Sequence, residues 1–278
     1  MKDDILENYQ AAGALASRIL REGAQGIRVG ASYLDLVESI EARVKEEGAE
    51  LAFPLNLSLN EDAAHDTASP GDERVFRKGD VAKLDLGVQV DGYIADTAVT
   101  VDLGNNSLLL DASREALEAA IRAIKPGVPA GALGAAIQQE IESRGYRPVA
   151  NLTGHGLGRF LLHGPPTIHN TAIGGGVTLE ADMVFAIEPF ATTGSGRVGE
   201  NPGWRSTRRS QTGPSASRQA APFSTGSKNG TACLSPGAGL ARRNSTSPSL
   251  RLCGRGPSMS TRSLPTSPVP LSPSTSIP

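Results

Sequence analysis

Acidic side chains stop at Glu200. Residues 1–200 hold all 29 Asp and Glu of the 278-residue chain, whereas residues 201–278 hold ten basic residues and no acid. Ordinary usage would put roughly 10 acids in a stretch of that length. The break separates an acidic body, the only part able to build a core, from a basic tail rich in Ser, Pro and Arg. With 17 Ser, 11 Pro and no sustained apolar periodicity, the tail cannot bury enough surface to offset chain entropy and is expected to be disordered. Its Arg residues are scattered and almost without aromatic neighbours, which argues against a nucleic-acid partner. A change of reading frame after about Glu200 explains the composition more economically, and the nucleotide sequence there would decide it.

No run approaches the ~18 apolar residues of a membrane span. The start, Met1-Lys2-Asp3-Asp4, has no apolar segment behind it and so does not read as a secretory signal. Both cysteines, Cys233 and Cys253, fall in the tail. The body therefore has no thiolate site, and the expected location is cytoplasmic.

Within the body the apolar spacing predicts a helix over 4–22, with Ile5, Tyr9, Ala12, Ala16 and Ile19 on one face, and a second over 32–47. Strands are expected at 53–59 and 81–102, the latter turning at Asp91-Gly92. The order then recurs: helices over 111–124 and 130–143, strands near 147–153 and 183–189. Helix, helix, strands, repeated after about 100 residues, reads as a duplicated α+β unit with its site between the halves.

Asp is a poor strand residue, yet Lys83-Leu-Asp85-Leu-Gly-Val-Gln-Val-Asp91-Gly-Tyr-Ile-Ala-Asp96 contains three. Asp91 belongs to its turn. A hairpin turning there brings Asp85 and Asp96 together, and two facing carboxylates repel unless protonated or neutralised by a cation. The alternative is two solvated strand residues. Glu188 lies in Met183-Val-Phe-Ala-Ile-Glu188-Pro-Phe, where a buried carboxylate needs a partner unless the strand is an edge with Glu188 facing water. His155, between Gly154 and Gly156, could complete a mixed imidazole–carboxylate site, or be an ordinary core or surface histidine. His65 and His163 read as polar loop residues.

Taken together, Phe53-Pro-Leu-Asn-Leu-Ser-Leu-Asn-Glu-Asp-Ala-Ala-His65, the segment 85–100, Gly154-His155 with Leu162-His163-Gly164, and Ala186-Ile-Glu188-Pro-Phe-Ala-Thr192 resemble the methionine aminopeptidases, in their archaeal type II form. The resemblance covers residues 1–200. It implies a pita-bread (aminopeptidase) fold of two pseudo-symmetric halves and removal of initiator methionine from nascent chains. It implies a centre of two divalent ions (Co, Mn, Fe or Zn) held by Asp85, Asp96, His155 and Glu188, with Glu188 also close to the attacking water. His65 and His163 match the pair that contacts substrate and stabilises the transition state. The implied partner is the N-terminal Met of a new polypeptide beside the ribosome, and the implied state a monomer.

The family pattern also includes a fifth, bridging Glu on a strand near the C-terminus, and type II members carry a helical insertion before it. Both would lie beyond Glu200, where no acid exists. The C-terminal strands and insertion are therefore expected to be missing and the activity impaired. Two other readings share the fold: a non-catalytic binding protein, which would be expected to have lost ligand residues, and a Xaa-Pro dipeptidase, expected to carry an extra N-terminal domain.

Overall fold

A computed structural model describes residues 1–199, together with two paired two-residue strands, Thr231–Ala232 and Arg251–Leu252. The expected disorder of 201–278 and its reading frame lie outside the described residues, apart from those two strands. Among the described residues no helix is long and apolar enough to cross a membrane.

The first half opens with helix α1, Asp3–Gly26, and helix α2, Tyr33–Glu46. Helix α2 begins where Ser32 accepts a hydrogen bond from the Asp35 amide (3.1 Å), which satisfies a free first-turn donor. Strands β1 (Glu50–Leu51), β2 (Asn56–Leu59), β3 (Val81–Val90) and β4 (Tyr93–Asp102) follow. All pair antiparallel, with β3 between β4 on one side and β1 and β2 on the other. The β3–β4 loop is two residues long, and Asp91 (φ 50°) and Gly92 (φ 81°) are both left-handed, the geometry an Asp-Gly hairpin turn requires. Strand β2 is shorter than the expected 53–59, because Pro54 lacks a ladder donor and Ala52 instead donates to Gly87 (2.9 Å).

The second half repeats the order with α3 (Ser107–Ala123), α4 (Ala130–Ser143), β5 (Arg147–Pro148), β6 (Thr153–Gly158), β7 (Leu161–His169) and β8 (Ala191–Thr192). Helix α3 starts a turn before the expected Asp111. The Asp102 carboxylate accepts from the amides of Gly104 and Asn106 and gives the chain an earlier entry into the helix. Strands β6 and β7 form a hairpin, and β5 pairs with β8. The expected strand over 147–153 is thus two short pieces. The expected strand over 183–189 is extended chain with a single bridge, Gly156 to Phe185. It bonds β6 through Leu157 N to Val184 O and Ala186 N to His155 O, each 2.8 Å. No described strand pairs along its other edge, so a ladder does not form.

Each half has its own apolar core, one centred on Leu57, Leu84, Leu86 and Ile40, the other on Leu117, Leu133, Ile137 and Phe185. A third cluster of Tyr9, Ile94, Leu157, Val184 and Ala186 joins them. The hairpin tips also meet: Phe160 N donates to Gly92 O (2.8 Å), and Arg159 bonds the Asp91 carbonyl and carboxylate (2.9 and 2.6 Å). The seam between the halves is therefore packed, which fixes what the two hairpins present to each other.

Candidate metal centre

The turn at Asp91-Gly92 sets the register of the first hairpin, so Asp96 lies opposite Gly87 and Asp85 opposite Ala98. The two carboxylates share a face, one diagonal step apart. Gly87 is required there because a Cβ would collide with the Phe53 ring. His155 sits inside β6. Gly154 and Gly156 let neighbouring backbone approach: a Cβ on the first would strike the Ala186 carbonyl, one on the second the Pro165 carbonyl. Glu188 follows on the extended segment that β6 holds.

These placements converge. His155 Nε2 lies 3.4 Å from Asp96 Oδ2 and 3.2 Å from Glu188 Oε1. One ligand atom from each of Asp96, His155 and Glu188 falls within 4.8 Å of the others. Asp85 stands beside this trio without joining it, its Oδ2 accepting from Asn56 Nδ2 (3.4 Å). All four line a cavity of about 240 Å³ with Phe53, Asn56, Leu162, His65 and His163. His163 packs edge-on against His155 (ring centroids 4.3 Å apart). A second cavity of about 630 Å³ shares Asn56, Asp85 and Glu188.

The donor set fits a divalent ion. Asp85 Oδ1 is buried with no hydrogen-bond partner, and Glu188 Oε1, despite the nearby imidazole, has no aligned hydrogen bond among the described residues. Buried acceptors left in that state are costly unless a cation or proton satisfies them. The acidities reflect this. Burial, reinforced by the Asp96 and Glu188 carboxylates, raises the Asp85 pKa well above the usual range. Burial raises Glu188 too, with the facing His155 imidazole opposing. For His155, burial alone would lower the pKa, but the facing Asp96 and Glu188 carboxylates outweigh it and push it up to about 10. Burial and the neighbouring His155 lower His163.

Without a cation, then, protons stand in for it. The imidazole carries one below about pH 10 and must lose it to become a ligand. Affinity for Mn²⁺ should therefore rise from pH 6 to 9, by ~10-fold per unit for each proton displaced. Calorimetry in buffers of different protonation enthalpy should record at least one proton released per ion. A pH-independent affinity would remove this trio from consideration.

Residues 7–216 match the model of metallopeptidase family M24. The chain belongs to that family. Over 200 residues this M24 chain is 50% identical to a methionine aminopeptidase of Archaeoglobus fulgidus, covering 72% of the chain and 69% of the relative. It is 46% identical over 202 residues to one of Methanothermobacter thermautotrophicus, covering 71% and 68%. The crystal structure of a Thermotoga maritima methionine aminopeptidase superposes with a TM-score of 0.68 at 32% identity, covering 73% of this chain and 86% of that one. The α+β pita-bread architecture is thereby established, and the chain is a hydrolase of the metallopeptidase class with a site suited to divalent metal.

Sequence reasoning missed Asn56 and Phe53 as parts of the candidate site. Asn56 had a readable signal. In Asn56-Leu-Ser-Leu59 the polar residues alternate with the apolar ones, and Leu57 is fully buried on the opposite face. Asn56 lies directly across from Asp85.

Proposed function

We propose that this chain is a type II-like methionine aminopeptidase, acting on the N-terminal Met of new polypeptides. Residues Asp85, Asp96, His155 and Glu188 would hold two divalent ions, drawn from Co, Mn, Fe or Zn; mixed N/O donors do not choose among them. The observation that carries this is the convergence of His155, Asp96 and Glu188 within 4.8 Å, in a cavity also lined by His65 and His163. When bound, the ions supply a more acidic water and polarise a carbonyl. The chain's own residues do the rest. Glu188, whose carboxyl pKa is raised by burial, is the better proton acceptor for it and is suited to take the proton of the attacking water. His163, kept neutral by burial and by His155, donates a hydrogen bond to the developing oxyanion, and His65 reaches the same space. The narrow cavity, walled by Phe53 and Leu162, receives an unbranched apolar side chain such as Met.

All four ligand candidates within residues 1–199 are present, which argues against the non-catalytic binding reading. A fifth ligand, which would be the fourth carboxylate, is not found with the trio among the described residues, and residues 201–278 contain no acid. The test therefore joins residues 1–199 to the C-terminal third of the Archaeoglobus relative. With Mn²⁺ or Co²⁺ this chimera should release free methionine from Met-Ala-Ser, and a chelator should stop it. The 278-residue chain should bind the first ion well and the second weakly. A folded, metal-loaded chimera without aminopeptidase activity would overturn the reading.

A further inference from the structure

We propose that Asp66, braced by Tyr33 and Arg74, is the positioning residue for His65. The inference rests on the reading of His65 as a substrate-contacting group and deepens it. His65 lies between β2 and β3, in a stretch without ladder pairing, and yet it lines the 240 Å³ cavity. Its backbone is left-handed (φ 64°), a conformation uncommon outside glycine that persists only when the surroundings impose it. No hydrogen bond holds the His65 ring itself among the described residues.

The neighbouring residue supplies the constraint. Asp66 N donates to Ser58 Oγ (3.3 Å) and its carbonyl accepts from Leu57 N (2.8 Å), which ties the chain to β2. Its Oδ2 accepts from Tyr33 OH (3.0 Å) and from Arg74 Nη1 (2.6 Å), while Oδ1 accepts from the Thr67 amide (2.9 Å). The brace is itself rigid. Tyr33, wholly buried at the first turn of α2, donates its amide to Arg74 O (3.0 Å), and the guanidinium lies 4.0 Å from its ring centroid. Arg74 also forks onto Asp72 and reaches Thr67 O. Burial, with the Asp66 charge next, raises the Tyr33 pKa, so its hydroxyl stays a donor. A continuous set of charge-assisted bonds thus runs from the core end of α2 to the residue beside His65. The backbone next to the site-facing residue is thereby tied down although its loop is not part of the sheet.

The chain has four histidines, so ring ¹⁵N–¹H signals of the full-length protein can be assigned with single His→Gln variants. In Asp66→Asn the His65 signal should move or double while those of His155, His163 and His169 stay in place. In the Mn²⁺-loaded chain, Asp66→Asn should weaken L-methionine binding by about tenfold, less than the ~100-fold that a full 1 Å misplacement can cost. His65→Ala should weaken it equally, and the double variant no further. Should Asp66→Asn unfold, Tyr33→Phe removes one hydroxyl, keeps the buried ring, and should displace the His65 signal alone by a smaller amount. An unmoved His65 signal in the folded variants, or four signals displaced alike, would overturn the proposal. If L-methionine fails to bind the unsubstituted chain while the His65 signal still moves, the positioning stands and the functional reading falls.

Discussion

Asp96→Ala is expected to abolish the thermal stabilisation that Mn²⁺ gives the protein and to weaken ion binding by ~100-fold or more. Apparent binding energies of four-ligand zinc sites are ~10–16 kcal/mol, so one ligand in four is worth roughly 3 kcal/mol, a factor of ~100. Asp96 has a second role that raises the figure. Its Oδ2 is one of two carboxylate oxygens against His155 Nε2; without it the ring loses a partner and its orientation. Without metal two effects oppose: removing the Asp96 charge relieves the repulsion that helps raise Asp85 and Glu188, but it also takes a partner from the protonated His155. The metal effect is therefore read within each protein, from thermal melts with Mn²⁺ and with EDTA. The wild type should differ between the two and Asp96→Ala should not. A metal-dependent shift of wild-type size in the variant would mean that the trio is not the ion site.

The same residues explain how much of the site was readable beforehand. Asp85 and Asp96 were legible because they violate strand preference, and because a two-residue Asp-Gly turn leaves only one register. Knowing the turn, one can pair every residue of both arms. His155 was legible as a donor, but the expected strand over 147–153 stopped short of it, since glycine on both sides is a weak strand signal. Its true context comes from the close approach of 183–189 and of Pro165, which no local pattern encodes. Glu188 stood out as a charge among apolar residues. The segment around it was expected to be a strand, but a strand needs partners on a ladder, and only β6 supplies bonds here. Asp66, Tyr33 and Arg74 were invisible for a different reason. They lie 8 to 41 residues apart in the chain, and their meeting depends on how the β2–β3 connection returns to the start of α2.

The close approach at β6 yields the other large effect. Gly154→Ala should destabilise the protein by about 3 kcal/mol, the upper end for an overpacked core position, and should weaken Mn²⁺ binding as well. The added Cβ would collide with the Ala186 carbonyl oxygen and sit 3.0 Å from its carbon and 3.1 Å from Ile187 Cα. All three are backbone atoms, so no rotamer change relieves the clash. Either β6 or the 183–189 segment must move, which strains the two 2.8 Å bonds between them. Replacing glycine also lowers the entropy of the unfolded chain, a gain of ~0.4–1 kcal/mol, too small to offset this. The direction of the forced movement matters functionally, because His155 follows Gly154 directly and Glu188 lies two residues beyond Ala186. Separating the two backbones opens the 3.2 Å contact between those ligands. Gly158→Ala provides the comparison: its Cβ would find nothing nearer than 3.4 Å, and that a Leu161 side-chain atom. Urea melts should place Gly158→Ala within ~1 kcal/mol of wild type, with its ion affinity unchanged. Equal stability of the two variants would mean that the backbone contact under the metal centre is not as tight as the structure has it.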